Sequence, residues 1–292
     1  MTVDRRIIEL YNDYVHSTMP RRDFIARLTT MAGGAAAAAT LLGALEPSYA
    51  QARQVEPDDK RLKTEKIEFN GPNGPVKAYV ARPRKLGKSD KVPGVLVIHE
   101  NRGLNEHIED VARRTALAGY VAIAPDGLSV AGGAPADQEA ARDLFAKTDG
   151  VRIATDVLAA VPWLAADATN NGKIGVVGFC YGGGLALRAA VETVGVDCAV
   201  AFYGKQLSAE DTRKLKVPVM LHYAGTDERI NAGINDFRAA LDAVGVPYSL
   251  NMYPGTQHGF HNDSSEARYN EAAAKLAWHR TLDFFDTYLK NG

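Results

Sequence analysis

Gly175-Val-Val-Gly178-Phe179-Cys180-Tyr181-Gly182-Gly183-Gly184 is an apolar run that ends on a lone cysteine set among glycines. The pattern predicts a buried strand turning sharply into a helix, with a nucleophilic side chain held at the turn. Glycine at 178 and 182 lets the two backbones approach closely, and it tolerates dihedral angles that are costly for other residues. A helix starting behind Cys180 would aim backbone N–H groups and a positive dipole end at the sulfur, which favours thiolate.

Other apolar runs flank this stretch. Residues 94–98, 121–124, 174–179, 199–203, 217–222 and 249–253 are continuous, as strands covered on both faces require. Residues 66–69 and 76–81 instead alternate around Gly71-Pro-Asn-Gly74, which predicts an edge hairpin with one solvated face. Helical periodicity fills 107–118, 137–147, 152–165, 185–193, 233–244 and 266–289. Strand and helix alternate, so the expected fold class is α/β. It would be a mostly parallel sheet of about eight strands with helices on both faces, begun by an antiparallel hairpin.

Functional groups in such a sheet gather at the carboxyl ends of strands. His99 and Glu100 follow one strand, Asp126 another, Cys180 a third and Asp227 a fourth, with His258 soon after the last. Cys180, Asp227 and His258 then stand in the chain order nucleophile, acid, histidine. Each has a plainer reading. Asp227 could be a helix N-cap, His258 an unassociated surface imidazole, and Cys180 an inert buried thiol. Cys198 begins the strand after the one Cys180 ends, which puts the two about 15 Å apart at about 3.3 Å per residue. A disulfide needs Cα atoms within about 7 Å. Cys180 is therefore expected as a free thiol and Cys198 as core packing. No cofactor and no metal is expected, because no carboxylate spacing accompanies His222, His258 and His261.

Over residues 65–290 the chain resembles the dienelactone hydrolases, also called carboxymethylenebutenolidases, which have the α/β-hydrolase fold. The resemblance rests on Val97-Ile-His-Glu100-Asn-Arg-Gly103-Leu-Asn105, Gly119-Tyr-Val-Ala-Ile-Ala-Pro-Asp126, Gly178-Phe-Cys180-Tyr-Gly182-Gly183, Gly225-Thr-Asp227 and His258-Gly-Phe260. It implies that Glu100 takes the thiol proton when substrate binds, and that the backbone N–H groups of Tyr181 and Asn101 form an oxyanion hole. An ion pair between Glu100 and Arg102 is the alternative for Glu100. The chain departs from the family after its histidine, where His258-Gly-Phe-His261-Asn262-Asp263 lacks a carboxylate-binding arginine. Arg142 stands in a doubtful register to replace it. Arg102 and Arg229, beside the presumed catalytic loops, are the candidate substrate-binding cations.

A chain of 292 residues with 46% hydrophobic content can bury one full core, and a net charge of −1 points away from nucleic acid. The first fifty residues read differently. Arg21-Arg22 precede an uncharged run from Leu28 to Leu45 and small residues at Pro47-Ser48-Tyr49-Ala50, as in a twin-arginine export signal. The expected organisation is an export region over 1–50, a linker over 51–63 and the α/β domain over 64–292. Export machinery would engage Arg21 and Arg22 and leave the processed protein periplasmic or exported, without stable membrane insertion. An uncleaved, membrane-associated chain is the alternative, and translation could begin at Met1 or Met19.

The function expected is cysteine-dependent hydrolysis of a small ester or lactone through a thioester acyl-enzyme. The alternative is an exported non-hydrolytic protein that binds a small molecule or senses oxidants through Cys180.

Overall fold

The computed structural model describes residues 3–17, 19–48, 52–87 and 89–291. It begins with three helices, α1 (Arg5–His16), α2 (Arg21–Ala32) and α3 (Ala35–Leu45). The sheet follows: β1 (Leu62–Gly71), β2 (Gly74–Pro83), β3 (Val92–Ile98), β4 (Val121–Pro125), β5 (Asn170–Phe179), β6 (Cys198–Phe202), β7 (Val219–Ala224) and β8 (Tyr248–Tyr253). Its order is β1-β2-β4-β3-β5-β6-β7-β8. β1 and β2 are antiparallel to their neighbours, and β3 through β8 run parallel, so the continuous apolar runs lie where both faces are covered.

Helices cover both faces. On one face α4 (Glu106–Leu117) contributes Ile108, Val111 and Ala116 to a cluster with Val95, Val97 and Val177. On the other, α5 (Gln138–Lys147), α6 (Gly150–Leu158), α7 (Ala160–Ala166) and α8 (Tyr181–Glu192) lie between β4 and β6. There Ile153, Val157, Leu164 and Leu187 pack on Leu96, Ile98 and Val176. The short α9 (Ala209–Thr212) and α10 (Glu228–Asn231) precede α11 (Ile234–Val244), which adds Phe237 and Leu241 to this layer. The chain closes on α12 (Glu271–Phe285), which packs with α4 and ends in a π-helical turn over Asp286–Lys290.

Three helices depart most from the periodicity. The period at 152–165 is split at Ala159, because Pro162 has no N–H to donate and is accommodated only in a first turn. α8 starts at Tyr181 rather than 185: the three glycines that look like a turn form its first turn. α12 starts at 271, where the Asn270 side chain accepts from the Ala273 N–H at 3.0 Å.

The segment read as a linker is docked rather than free. The backbone N–H groups of Gln54 and Val55 both donate to the Asp110 carboxylate, Val55 at 2.8 Å, and β1 already begins at Leu62.

Residues 3–48 form an arm with its own apolar cluster, including Tyr11, Tyr14, Phe24, Leu28 and Leu45. Tyr14 stacks on Phe24 with ring centroids 4.3 Å apart. Among the described residues no single helix is long and apolar enough to cross a membrane. α2 and α3 pass by composition only as a pair bent by 113° at Gly33-Gly34. Tyr49 and Ala50, the end of the expected cleavage site, lie outside the described residues, as does Met1.

Candidate active site

At the end of β5 the backbone reverses on Cys180, which has φ 55° and ψ −112°, a conformation strained for any residue with a side chain. Only glycine fits on either side of that turn. A Cβ on Gly178 would sit 1.9 Å from the Gly182 carbonyl oxygen, and one on Gly182 would sit 2.5 Å from that of Ile98. The turn is pinned by the Cys180 N–H donating to the Phe202 carbonyl at 3.0 Å. Tyr181, the first residue of α8, has a backbone N–H with no intrahelical acceptor.

Three of the residues expected to act together are neighbours. Asp227 caps α10, as its plainer reading suggested, through Oδ1 and the Ile230 N–H at 3.3 Å. Its other oxygen accepts from His258 Nδ1 at 2.5 Å, so one carboxylate does both jobs. His258 is 2% exposed, and its Nε2 has no hydrogen-bond partner among the described residues. Burial opposes a charge on this imidazole. The neighbouring Cys180 sulfur as thiolate, together with Asp227, outweighs that penalty and raises it to about 9. Burial likewise opposes ionisation of Asp227, but its bond to His258 and the charge there hold it below its ordinary value.

Glu100 lies beside this group, bound from two sides. Asn262 Nδ2 donates to Oε2 at 2.7 Å, and the Tyr203 hydroxyl donates to Oε1 at 3.3 Å. The two candidate arginines part company. Arg229 is exposed and lines the cleft in front of Cys180, whereas Arg102 is buried and donates to the Tyr11 hydroxyl at 3.3 Å and the Asn101 side chain at 3.4 Å. Arg142 also lines the cleft, held by Asp143 at 2.7 Å and lying 4.0 Å over the Tyr14 ring.

His99 and Asp126 organise loops. His99 Nδ1 donates to the Glu100 carbonyl at 2.6 Å while Nε2 accepts from the Gly127 N–H at 3.0 Å. Asp126 accepts from the N–H groups of Leu104, Leu128 and Ala134. His222 and His261 are kept from His258 by the packing of the other sheet face. His222 sits between the Tyr253 and Thr281 hydroxyls, and His261 stacks on Phe179. Both cysteines are free; Cys198 pairs in register with Gly175, five residues before Cys180.

Sequence reasoning missed His16. The last residue of α1 places Nε2 3.3 Å from Cys180 Sγ and its ring centroid 4.6 Å from that of His258. The arm is held there by Asn101 Nδ2 on the Val15 carbonyl at 2.8 Å, by a Tyr14 hydroxyl bond to Glu139, and by Arg21 on Glu139 at 3.0 Å. Farther along, the Ala267 N–H donates to the Ala44 carbonyl at 3.2 Å. Val15, His16 and Met19 thus form one wall of a cleft of about 1480 Å³, facing Cys180, Tyr181 and Tyr203. The amphipathic pattern of α1 was the available signal, but it says only that the helix has a partner.

Residues 76–289 match the dienelactone hydrolase family. The chain belongs to that family. The match spans the elbow at Cys180. A Salmonella typhi protein named "Putative carboxymethylenebutenolidase" is 31% identical over 226 residues, covering 72% of this chain and 82% of its own. A protein of the same printed name from Methylorubrum extorquens is 29% identical over 287 residues, covering 93% of this chain and 94% of its own. That coverage takes in part of the arm. Among solved structures, a "Putative Dienelactone Hydrolase" from Klebsiella pneumoniae aligns with a TM-score of 0.70 at 27% identity, over 78% of this chain and 99% of that one. The protein is a hydrolase of this family on an α/β-hydrolase fold.

Proposed function

We propose that the protein hydrolyses a carboxylic ester or lactone, with Cys180 as nucleophile and a thioester acyl-enzyme as intermediate. The observation that carries this reading is the His258 imidazole. It is bound to Asp227 through Nδ1 at 2.5 Å and leaves Nε2 without a hydrogen-bond partner among the described residues, beside a cysteine on a strained elbow. Asp227 orients the ring and offsets its positive charge. His258 takes the thiol proton, the thiolate adds to the carbonyl carbon, and the imidazolium returns that proton to the departing oxygen. Water then attacks the thioester with His258 as base. The Tyr181 N–H, which has no intrahelical acceptor at the start of α8, and the Asn101 N–H are the proposed oxyanion donors, worth several kcal/mol in the transition state.

Glu100 is proposed to help move the thiol proton on substrate binding, which would require it to exchange its bond to Asn262 or Tyr203. Arg229 is the stronger candidate for an anionic substrate group, since it is exposed at the cleft. Turnover of aryl esters and lactones, each with and without a carboxylate, tests the reading. Turnover that persists unchanged in Cys180→Ala would remove it.

Export through Arg21 and Arg22 remains a separate proposal for residues 1–50. Arg22 is exposed, while Arg21 is engaged by Glu46 and Glu139, so recognition of the pair requires the arm to undock. Sequencing the N-terminus of protein recovered from the periplasm tests this. A start near residue 51 supports it, and an intact arm on cell-retained protein contradicts it.

A further inference from the structure

We propose that His16, Cys180 and His258 form a binding site for a soft divalent metal ion of the zinc class. The site is complete only while the arm is docked, and when filled it blocks the nucleophile.

The ligand atoms of the three residues all lie within 4.8 Å of one another, with His16 Nε2 3.3 Å from Cys180 Sγ. Tetrahedral zinc takes nitrogen at about 2.0–2.1 Å and sulfur at about 2.3 Å, which spaces its ligand atoms roughly 3.3–3.6 Å apart. The His16–Cys180 pair has that spacing, and the other pairs, within 4.8 Å, need a small closing movement. Both rings are also turned correctly. His16 Nδ1 is 2.7 Å from the Asn12 carbonyl oxygen, which can only accept, so Nδ1 carries the hydrogen and Nε2 a lone pair. Asp227 fixes His258 in the same sense. A carbonyl or carboxylate on the far ring nitrogen is the outer support that metal-binding histidines use.

The two imidazoles and the sulfur converge on one point beside the cleft. His258 Nε2 is buried without a hydrogen-bond partner among the described residues. A cation bound by all three atoms satisfies each of them. The donor set of one thiolate and two imidazoles selects zinc-like metals over magnesium or calcium. On binding, the proton shared by the Cys180 sulfur and His258 Nε2 leaves to solvent as the S–metal and N–metal bonds form; nothing is oxidised or reduced. The sulfur pair needed for attack on a carbonyl is then committed to the metal.

The site shares Cys180 and His258 with the proposed hydrolase, but its test needs no turnover. Reduced, metal-free, full-length protein is titrated with Co²⁺ and the thiolate-to-cobalt charge-transfer band is followed, then displaced with Zn²⁺. One Co²⁺ per chain is expected for the wild type, with no such band in Cys180→Ser. His16→Ala and His16→Phe should each weaken binding at least about tenfold. The phenylalanine keeps a ring against His258 if the alanine variant fails to fold. Zn²⁺ inhibition of ester hydrolysis, measured against each variant's own zinc-free rate, should weaken by a similar factor. Wild-type protein that binds no Co²⁺, or both His16 variants binding it with wild-type affinity, would overturn the site. Ester turnover without metal binding would leave the hydrolase standing and remove this proposal; metal binding without turnover would do the reverse.

Discussion

The α/β domain and the arm meet at one sulfur but are held by different forces. The domain buries its strands between two continuous apolar layers, and its polar loops rest on that frame. The arm has a small apolar cluster of its own and reaches the domain largely through polar contacts, at Asn101, Glu139 and Ala267 among others. Polar contacts at a partly wetted boundary contribute about 0.5–1.5 kcal/mol each, much less than a sheet packed on both sides. This makes the arm the separable part. It can shape, cover or expose the cleft without the elbow losing its support. Substitutions in the two regions should therefore fail in different ways.

The largest effect should come from the elbow itself. Cys180→Ala is expected to lower kcat by about 10⁴, while circular dichroism and the melting temperature stay close to wild type. Next is Gly178→Ala, which forces a methyl group into the Gly182 carbonyl. It should cost about 4 kcal/mol or more, seen as a cooperative loss of the whole domain in urea. A result under 1 kcal/mol would mean that the elbow can relax and that the strain argument is wrong.

In the arm, Tyr14→Ala removes a ring stacked on Phe24 and covered by Arg142. About 3 kcal/mol should be lost, but locally: residues 3–45 become sensitive to protease and exchange hydrogen quickly, while β3 and β5 keep their protection. Simultaneous unfolding of both regions would erase the distinction between them.

A smaller effect concerns pH. The folded His258, at about 9, lies above its ordinary 6.5. Its charged interactions therefore stabilise the fold fully below pH 6.5 and are lost as pH rises through 9. Urea midpoints should fall between those pH values, and fall less in Cys180→Ala, which removes the thiolate partner. An equal fall in both would place the origin elsewhere. The smallest expected change is in Arg229→Ala, about 5- to 20-fold in KM for carboxylated esters and little for neutral ones. No difference between the two ester classes would remove Arg229 from substrate binding.

Much of the domain was legible in the sequence because both-faced burial leaves an unmistakable pattern. The runs at 94–98, 121–124 and 174–179 are strands, apolar at successive positions because helices cover both faces of the sheet. Cys180, Asp227 and His258 were legible for a related reason: parallel strands deliver their carboxyl ends to one rim, so position in the chain predicts proximity. Arg102 shows where that reasoning stops. It has the right place in the chain, but its side chain turns to Tyr11, a choice made by a helix about ninety residues earlier. His16 was illegible for the same reason. Its signal is an amphipathic helix ahead of a twin-arginine pair, and neither feature says which surface α1 covers. Long-range docking through polar contacts leaves no periodicity to read.

The most direct test of the central claim is to trap the acyl group. A slow aryl ester is mixed with wild-type protein, quenched in acid within the first turnovers, digested and analysed by mass spectrometry. The account predicts the acyl mass on Cys180 as a hydroxylamine-sensitive thioester, accumulating further in Asp227→Asn and absent in Cys180→Ala. Ester turnover with Cys180 unmodified throughout, or an acyl group carried on another residue, would contradict it.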